Sequence, residues 1–233
     1  MNGKLFLIPN LIAEGTQQVI PPSVLEALPS LQYFLAEDVR TARRFLSGLK
    51  IYERIESLQF EVLNKDTTQV GLGELMKPLL EGKNVGVISE SGCPGVADPG
   101  ALAVAYAHQH GIQVVPLVGP SSILLALMAS GLNGQRFAFH GYLPIDVKEA
   151  VKTIKELEKE SQQKNQTQLF IETPYRNNQV LDHLLNSLKN ETQLSIALDL
   201  TGIHEFIQTK SVGQWKKNKP ALLKEPAVFS FLG

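Results

Sequence analysis

Ser89-Glu-Ser-Gly-Cys-Pro-Gly-Val-Ala-Asp-Pro-Gly100 decides how this chain folds. An apolar run, Val85-Gly-Val-Ile88, precedes it after the turn residues Gly82-Lys-Asn84, which spells a buried strand. Asp98-Pro99 spells a helix start: a carboxylate to cap free N–H groups, then a proline whose missing N–H costs nothing there. Ala101-Leu-Ala-Val-Ala105 carries that helix on. About eight residues lie between strand and helix, against roughly 2–6 in the usual strand-to-helix loop. Gly92, Pro94 and Gly95 fix the path of this loop and leave its backbone approachable. Ligands of open α/β sheets sit beyond the carboxyl ends of the strands. The stretch is therefore either a backbone cradle for a small molecule or a long surface loop, and taken alone it admits both.

Working outward, apolar runs at Lys4–Ile8, Gln32–Ala36 and Gln113–Pro116 predict strands. Helices are predicted from Ser23 to before Pro29, over Arg40–Leu49 with Arg43 and Arg44 exposed, and over Gly73–Leu80. Ile51–Leu63 reads as strand or irregular. Such alternation gives a parallel sheet covered on both faces. A seam falls at Pro116-Leu-Val-Gly-Pro120, giving an N-terminal α/β domain over 1–117 and a C-terminal α+β domain over 118–233, with a cleft between them. Past the seam, Ser121 or Ser122 caps Ile123–Ser130, apolar nearly all round and so expected to be buried between layers. Then follow a strand at Arg136–Tyr142, a charged helix at Lys148–Lys164, a strand at Gln168–Ile171 and a helix at Tyr175–Leu188. Gln193–Leu200 and His204–Thr209 suggest a hairpin, and Ala227–Phe231 a last strand.

The 233 residues suffice for a full core, with 43% hydrophobic and 19% charged residues, as in ordinary globular proteins. No apolar run reaches the roughly 18 residues that span a bilayer, and the N-terminus turns to Pro9-Asn10 too soon for a signal peptide. A cytoplasmic protein without membrane contact is expected. Cys93 is the only cysteine, which rules out an internal disulfide. Five scattered histidines suggest no metal site. A net charge of −1 carries no nucleic-acid footprint, although a local patch can hide in a balanced total. Gly71-Leu-Gly73 lacks both the leading strand and the third glycine of a dinucleotide motif. Candidate catalytic carboxylates are Glu37 and Asp38, at a strand end before Arg40, and Asp199. Glu172 also ends an apolar run, and capping explains such positions equally well. Cys93 reads as a small side chain packed at a turn, and Trp215 as a packing anchor beside the basic Lys216, Lys217 and Lys219.

Several motifs in order resemble those of the tetrapyrrole (corrin/porphyrin) methylase family, most closely its branch that methylates ribose 2′-oxygens of small-subunit ribosomal RNA. They are Leu7-Ile-Pro9, Ala36-Glu-Asp38 with Arg40-Thr41, Ser89-Glu-Ser-Gly-Cys-Pro94 with Asp98-Pro-Gly100, Pro116-Leu-Val-Gly-Pro-Ser121, and Arg136-Phe137 with Gly141-Tyr-Leu-Pro144. Phe60-Glu-Val-Leu-Asn64, Leu198-Asp-Leu-Thr-Gly202 and Lys224-Glu-Pro226 depart from that branch's Phe-His-x-His-Asn, Arg-Glu-Leu-Thr-Lys and Lys-Gly-Glu. The resemblance implies a two-domain α/β fold, a homodimer, and S-adenosylmethionine against Pro9, Ser89, Glu90, Ser91, Gly92, Pro94, Val96, Ser121, Ser122, Tyr142 and Leu143. It implies ribosomal RNA or the small ribosomal subunit as partner. The alternatives are a corrin, porphyrin or other small acceptor, or a binding protein that has lost catalysis. At Gly92 a backbone conformation or close approach that a Cβ would spoil is expected, so that Gly92→Val weakens cofactor binding with little change in melting temperature.

Overall fold

The computed structural model describes residues 2–233, which part into two compact units between Ser121 and Ser122. In the first unit the order is β1 (Leu5–Ile8), α1 (Pro22–Ala27), β2 (Tyr33–Ala36), α2 (Val39–Leu49), β3 (Gln59–Val62), α3 (Gln69–Leu80), β4 (Val85–Ile88), α4 (Gly100–Gln109) and β5 (Val114–Pro116). All five strands are parallel, in the order β3-β2-β4-β1-β5. Strand periodicity sorts their side chains. Ile8, Phe34, Ala36 and Ile88 pack with Val24 of α1 and with Ala42, Phe45 and Leu46 of α2. Leu5, Leu35, Val85 and Val87 pack on the opposite face with Leu72, Met76 and Leu79 of α3 and with Ala103 and Ala107 of α4. Right-handed crossovers require this arrangement, because the connections leaving β1 and β2 run one way along the sheet and those leaving β3 and β4 run the other. The reversal lies between the neighbours β1 and β4, and there the loops diverge to opposite faces and open a crevice.

Two helix starts differ from the sequence expectation. The side chain of Thr68 accepts the Gly71 N–H, so α3 begins four residues earlier than predicted and Gly71-Leu-Gly73 lies inside it. Helix α4 starts at Gly100, with no side-chain cap at Pro99. The Asp98 carboxylate instead takes the N–H of Gly100 at 2.7 Å and that of Gly95 at 2.9 Å, folding the long loop back on itself.

The second unit runs α5 (Ser122–Ser130), β6 (Phe137–Tyr142), α6 (Val147–Lys164), β7 (Thr167–Glu172), α7 (Asn177–Ser187), β8 (Gln193–Leu198), β9 (Phe206–Ser211), α8 (Val212–Lys217) and β10 (Ala227–Leu232). Its sheet order is β6-β7-β10-β8-β9, with β6 and β7 parallel and the other pairs antiparallel. The expected hairpin is β8–β9. One sheet face, carrying Phe170, Leu194, Ile196, Phe229 and Phe231, packs on α6, α7 and α8. Trp215 is buried there and its indole N–H donates to the Leu194 carbonyl at 2.9 Å. Helix α5 lies against the other face, and here the sequence reading is corrected. Ala126, Leu127 and Ser130 are buried, but Leu124 is 51% and Met128 77% exposed, since only one side of the helix meets the sheet.

Candidate functional site

At the carboxyl end of β1 the chain turns at Pro9-Asn10, beside the loop that leaves β4. The buried side chain of Asn10 donates to the Ser89 carbonyl at 2.8 Å and the Glu90 carbonyl at 3.2 Å. Its Oδ1 accepts the Leu11 N–H, and its own backbone N–H donates to the Gly92 carbonyl at 2.9 Å. One amide thus ties the two diverging loops together across the crevice. Within the loop, the Ser89 hydroxyl donates to the Ser91 carbonyl. Gly92 takes φ +67°, and a Cβ there would lie 3.3 Å from the Pro120 carbonyl oxygen. Both halves of the Gly92 expectation are met, but the positive φ means a valine also strains the fold, so a loss confined to binding is not expected. The Cys93 thiol points at the same carbonyl, 3.3 Å away, and burial pushes its pKa up, which suits a packed thiol rather than a nucleophile.

Gly119 makes the second close approach. A Cβ on it would overlap the ring carbons of Pro9. Pro9, Asn10, the Ser89–Val96 loop and Gly119-Pro120 therefore form one packed assembly, with the side chains of Glu90, Ser91 and Val96 exposed on it. Sequence reasoning found the two outer motifs and missed Asn10 and Gly119. Asn10 read as a strand terminator and Gly119 as part of a seam, and only tertiary contact distinguishes their roles.

The electrostatics of this edge are negative. Asp38 caps α2 by accepting the Thr41 N–H at 2.8 Å, which, with Arg40 nearby, lowers its pKa. Glu90 is raised instead, first by desolvation and then by the charges of Glu37, Asp38 and Asp98. A carboxyl raised on folding binds more protons folded than unfolded, so its contribution to stability falls as pH rises through that window. Glu90→Gln should therefore stabilise the fold slightly at pH 7, by no more than ~0.5 kcal/mol at so exposed a position, and raise the melting temperature accordingly. The gain should vanish in acid, and differential scanning fluorimetry across pH reads it.

The remaining candidates lie in or beside the second unit. Ser121 closes the first unit and Ser122 opens α5. Tyr142 is 55% exposed at the end of β6, its phenol pKa raised by burial and by Glu172, whereas the Leu143 side chain belongs to the core. Arg176 donates to the Pro144 carbonyl at 3.1 Å and pairs with Glu172 at 3.5 Å, which fixes this segment. Asp199, at φ +48°, accepts the His204 N–H at 2.8 Å and shapes the turn after β8. Lys216 and Lys219 are held by Asn190 and Asp182. No group of three or more metal-ligating side chains occurs among the described residues, and no helix among them is long and apolar enough to cross a membrane.

Comparison with known proteins agrees with this fold. Residues 17–214 match the family model of the Tetrapyrrole (Corrin/Porphyrin) Methylases. The ribosomal RNA small subunit methyltransferase I of Vibrio cholerae is 32% identical over 88% of this chain and 67% of its own length. That of Thermotoga maritima is 30% identical over 94% of each. Among solved structures, the methyltransferase CobJ superposes with a TM-score of 0.63 at 17% identity, covering 98% of this chain and 93% of its own. The uroporphyrin-III-C-methyltransferase of Thermus thermophilus gives 0.58 at 18%, covering 100% and 93%. With a family match across most of its length and a loop assembly at the sheet's switch point, the chain belongs to the tetrapyrrole (corrin/porphyrin) methylase family and is a methyltransferase.

Proposed function

We propose that the chain transfers the methyl group of S-adenosylmethionine to a ribose 2′-oxygen of small-subunit ribosomal RNA. The observation that carries the donor is the Ser89–Val96 loop, pinned by Asn10 at the switch point and opened by Gly92. The residues present fit such a donor: an approachable backbone suits its polar groups, and the negative edge of Glu37, Asp38, Glu90 and Asp98 suits a sulfonium cation. Pro9, Ser89, Glu90, Ser91, Gly92, Pro94 and Val96 would hold it, whereas Ser121, Ser122, Tyr142 and Leu143 are candidates by resemblance. The donor supplies an already activated methyl group. The protein's part is to align the acceptor oxygen with the S–CH₃ bond, exclude water and accept the hydroxyl proton. Glu37, Asp38 and Glu90 are the exposed carboxylates at that edge; Asp38 is engaged in its cap, and Asp199 in its turn, which leaves Glu37 and Glu90 for that proton.

The acceptor rests on the curated relatives, which carry the ribosomal name over most of this chain. A homodimer in the cytoplasm goes with that reading, and the exposed Leu124 and Met128 of α5 suit a second copy. Isothermal titration should show S-adenosylmethionine binding, and none at millimolar donor would reject the donor. Mass spectrometry of small-subunit RNA from a deletion strain should show one ribose methylation lost. An unchanged pattern rejects the RNA acceptor and turns attention to a small molecule.

A further inference from the structure

Helix α2 carries charge of one sign. Arg40, Arg43, Arg44 and Ser47 fall at i, i+3, i+4 and i+7 on its outer side, and Lys50 follows at its C-cap, all exposed. Ala42, Phe45 and Leu46 on the opposite side are buried. The helix contains no acidic residue, in a chain whose 22 Lys and Arg are otherwise balanced by 23 Asp and Glu. Its neighbours neutralise little of this. Glu14 meets Arg44 at 3.3 Å as an open surface pair, 92% and 68% exposed, and Asp38 is committed to the Thr41 N–H. Arg43 is also oriented: its guanidinium lies 5.0 Å over the Phe60 ring, which itself stacks on the buried Phe34 at 5.3 Å. Helix α6 shows the contrast, since its exposed Lys148, Lys152 and Lys155 alternate with Glu149 and Glu156.

Position strengthens the charge argument. α2 is capped by Asp38, one of the carboxylates whose field raises Glu90, so its cationic side leads away from the edge proposed for the donor. From Arg40 to Lys50 it extends ~15 Å, the rise of about four stacked base steps. A negative edge for a cationic donor thus adjoins a positive track for an anionic polymer.

We propose that the outer side of α2 binds the phosphodiester backbone of the RNA acceptor, with Arg40, Arg43, Arg44 and Lys50 contacting successive phosphates. This rests on the RNA reading above. The test compares wild type, the triple variant Arg43→Gln, Arg44→Gln, Lys50→Gln, and the charge-matched control Lys148→Gln, Lys152→Gln, Lys155→Gln. Fluorescence anisotropy with a labelled single-stranded oligoribonucleotide is followed against salt, together with methyl transfer to purified small-subunit RNA. The α2 variant should lose about tenfold in RNA affinity and about 2 from the log–log salt slope, which is roughly 0.7 per phosphate contact. KM for RNA should rise with kcat, S-adenosylmethionine binding and melting temperature kept, and the control should match wild type. Unchanged RNA binding in the α2 variant overturns the proposal and leaves the RNA reading standing. Equal losses in both variants, or a loss of donor binding, also overturn it. A wild-type protein that neither binds nor methylates RNA defeats the RNA reading itself and this proposal with it.

Discussion

Asn10→Asp is expected to lower the melting temperature by about 6–12 °C at pH 7, corresponding to ~3 kcal/mol in a chain of this size. Among the described residues the Asn10 amide is the one side-chain donor to the Ser89 and Glu90 carbonyls, and Asn10 is 3% exposed. A carboxylate in its place faces two carbonyl oxygens without a proton to give. Each buried group left unsatisfied costs ~1–3 kcal/mol, and an unpaired buried charge costs more. The pH dependence separates this cause from a general packing defect. The introduced carboxyl is forced to a raised pKa, and once protonated it can donate to one of the two carbonyls. Stability of the variant should therefore recover in part as pH falls from 7 to 5, while Asn10→Ala, near 2 kcal/mol, should show no such recovery. Donor affinity should drop at least about tenfold in both variants, because the loop loses its tie to β1. A variant that melts like wild type, or binds the donor normally, would show that the loop holds its shape without Asn10.

Much of the fold was legible because it rests on periodicity. The runs 85–88, 32–36 and 4–8 are short, apolar and bounded by turn residues, and they became β4, β2 and β1 to within one residue. The overlooked elements carry a legible signal of another kind. Ser211 and Gln214 form a reciprocal capping box that starts α8, a pattern present in the sequence and obscured by the strand reading around it. Thr68 caps α3 one-sidedly, its side chain accepting the Gly71 N–H. Helix α5 shows the reverse case: all-round apolarity was read as burial, but composition cannot say how many layers cover a helix. The site divides along the same line. The glycine- and proline-rich loop announces itself through local backbone demands. The groups that hold it act across long stretches of chain, Asn10 reaching Ser89 over 79 residues and Gly119 meeting Pro9 from more than 100 away, and their neighbours in sequence carry no trace of that. The cationic side of α2 was half legible, since the arginines were visible and the open, exposed nature of the one ion pair they make, Arg44 with Glu14, was not.

Gly119→Ala should cost about 1–3 kcal/mol, the ordinary price of overpacking, and should weaken donor binding as well. Its φ lies outside the positive range, so the glycine is required by space alone. The added methyl would fall on the Cβ and Cγ of Pro9, whose ring has no rotamer that moves them away. Either β1 or the 117–120 segment must then shift. That segment carries the Pro120 carbonyl, against which Cys93 and Gly92 rest, so the displacement passes directly into the loop. Gly73→Ala provides the opposite sign within the same unit. Gly73 is inside α3 with nothing within 4 Å of an added Cβ, and the change should stabilise by ~0.5–1 kcal/mol through helix propensity, with donor binding untouched. Urea unfolding and isothermal titration on both variants read the pair. If Gly119→Ala unfolds at the wild-type midpoint and titrates normally, Pro9 and the 117–120 segment have room to part, and the assembly around the loop is looser than the packing of Pro9, Gly92 and Pro120 requires.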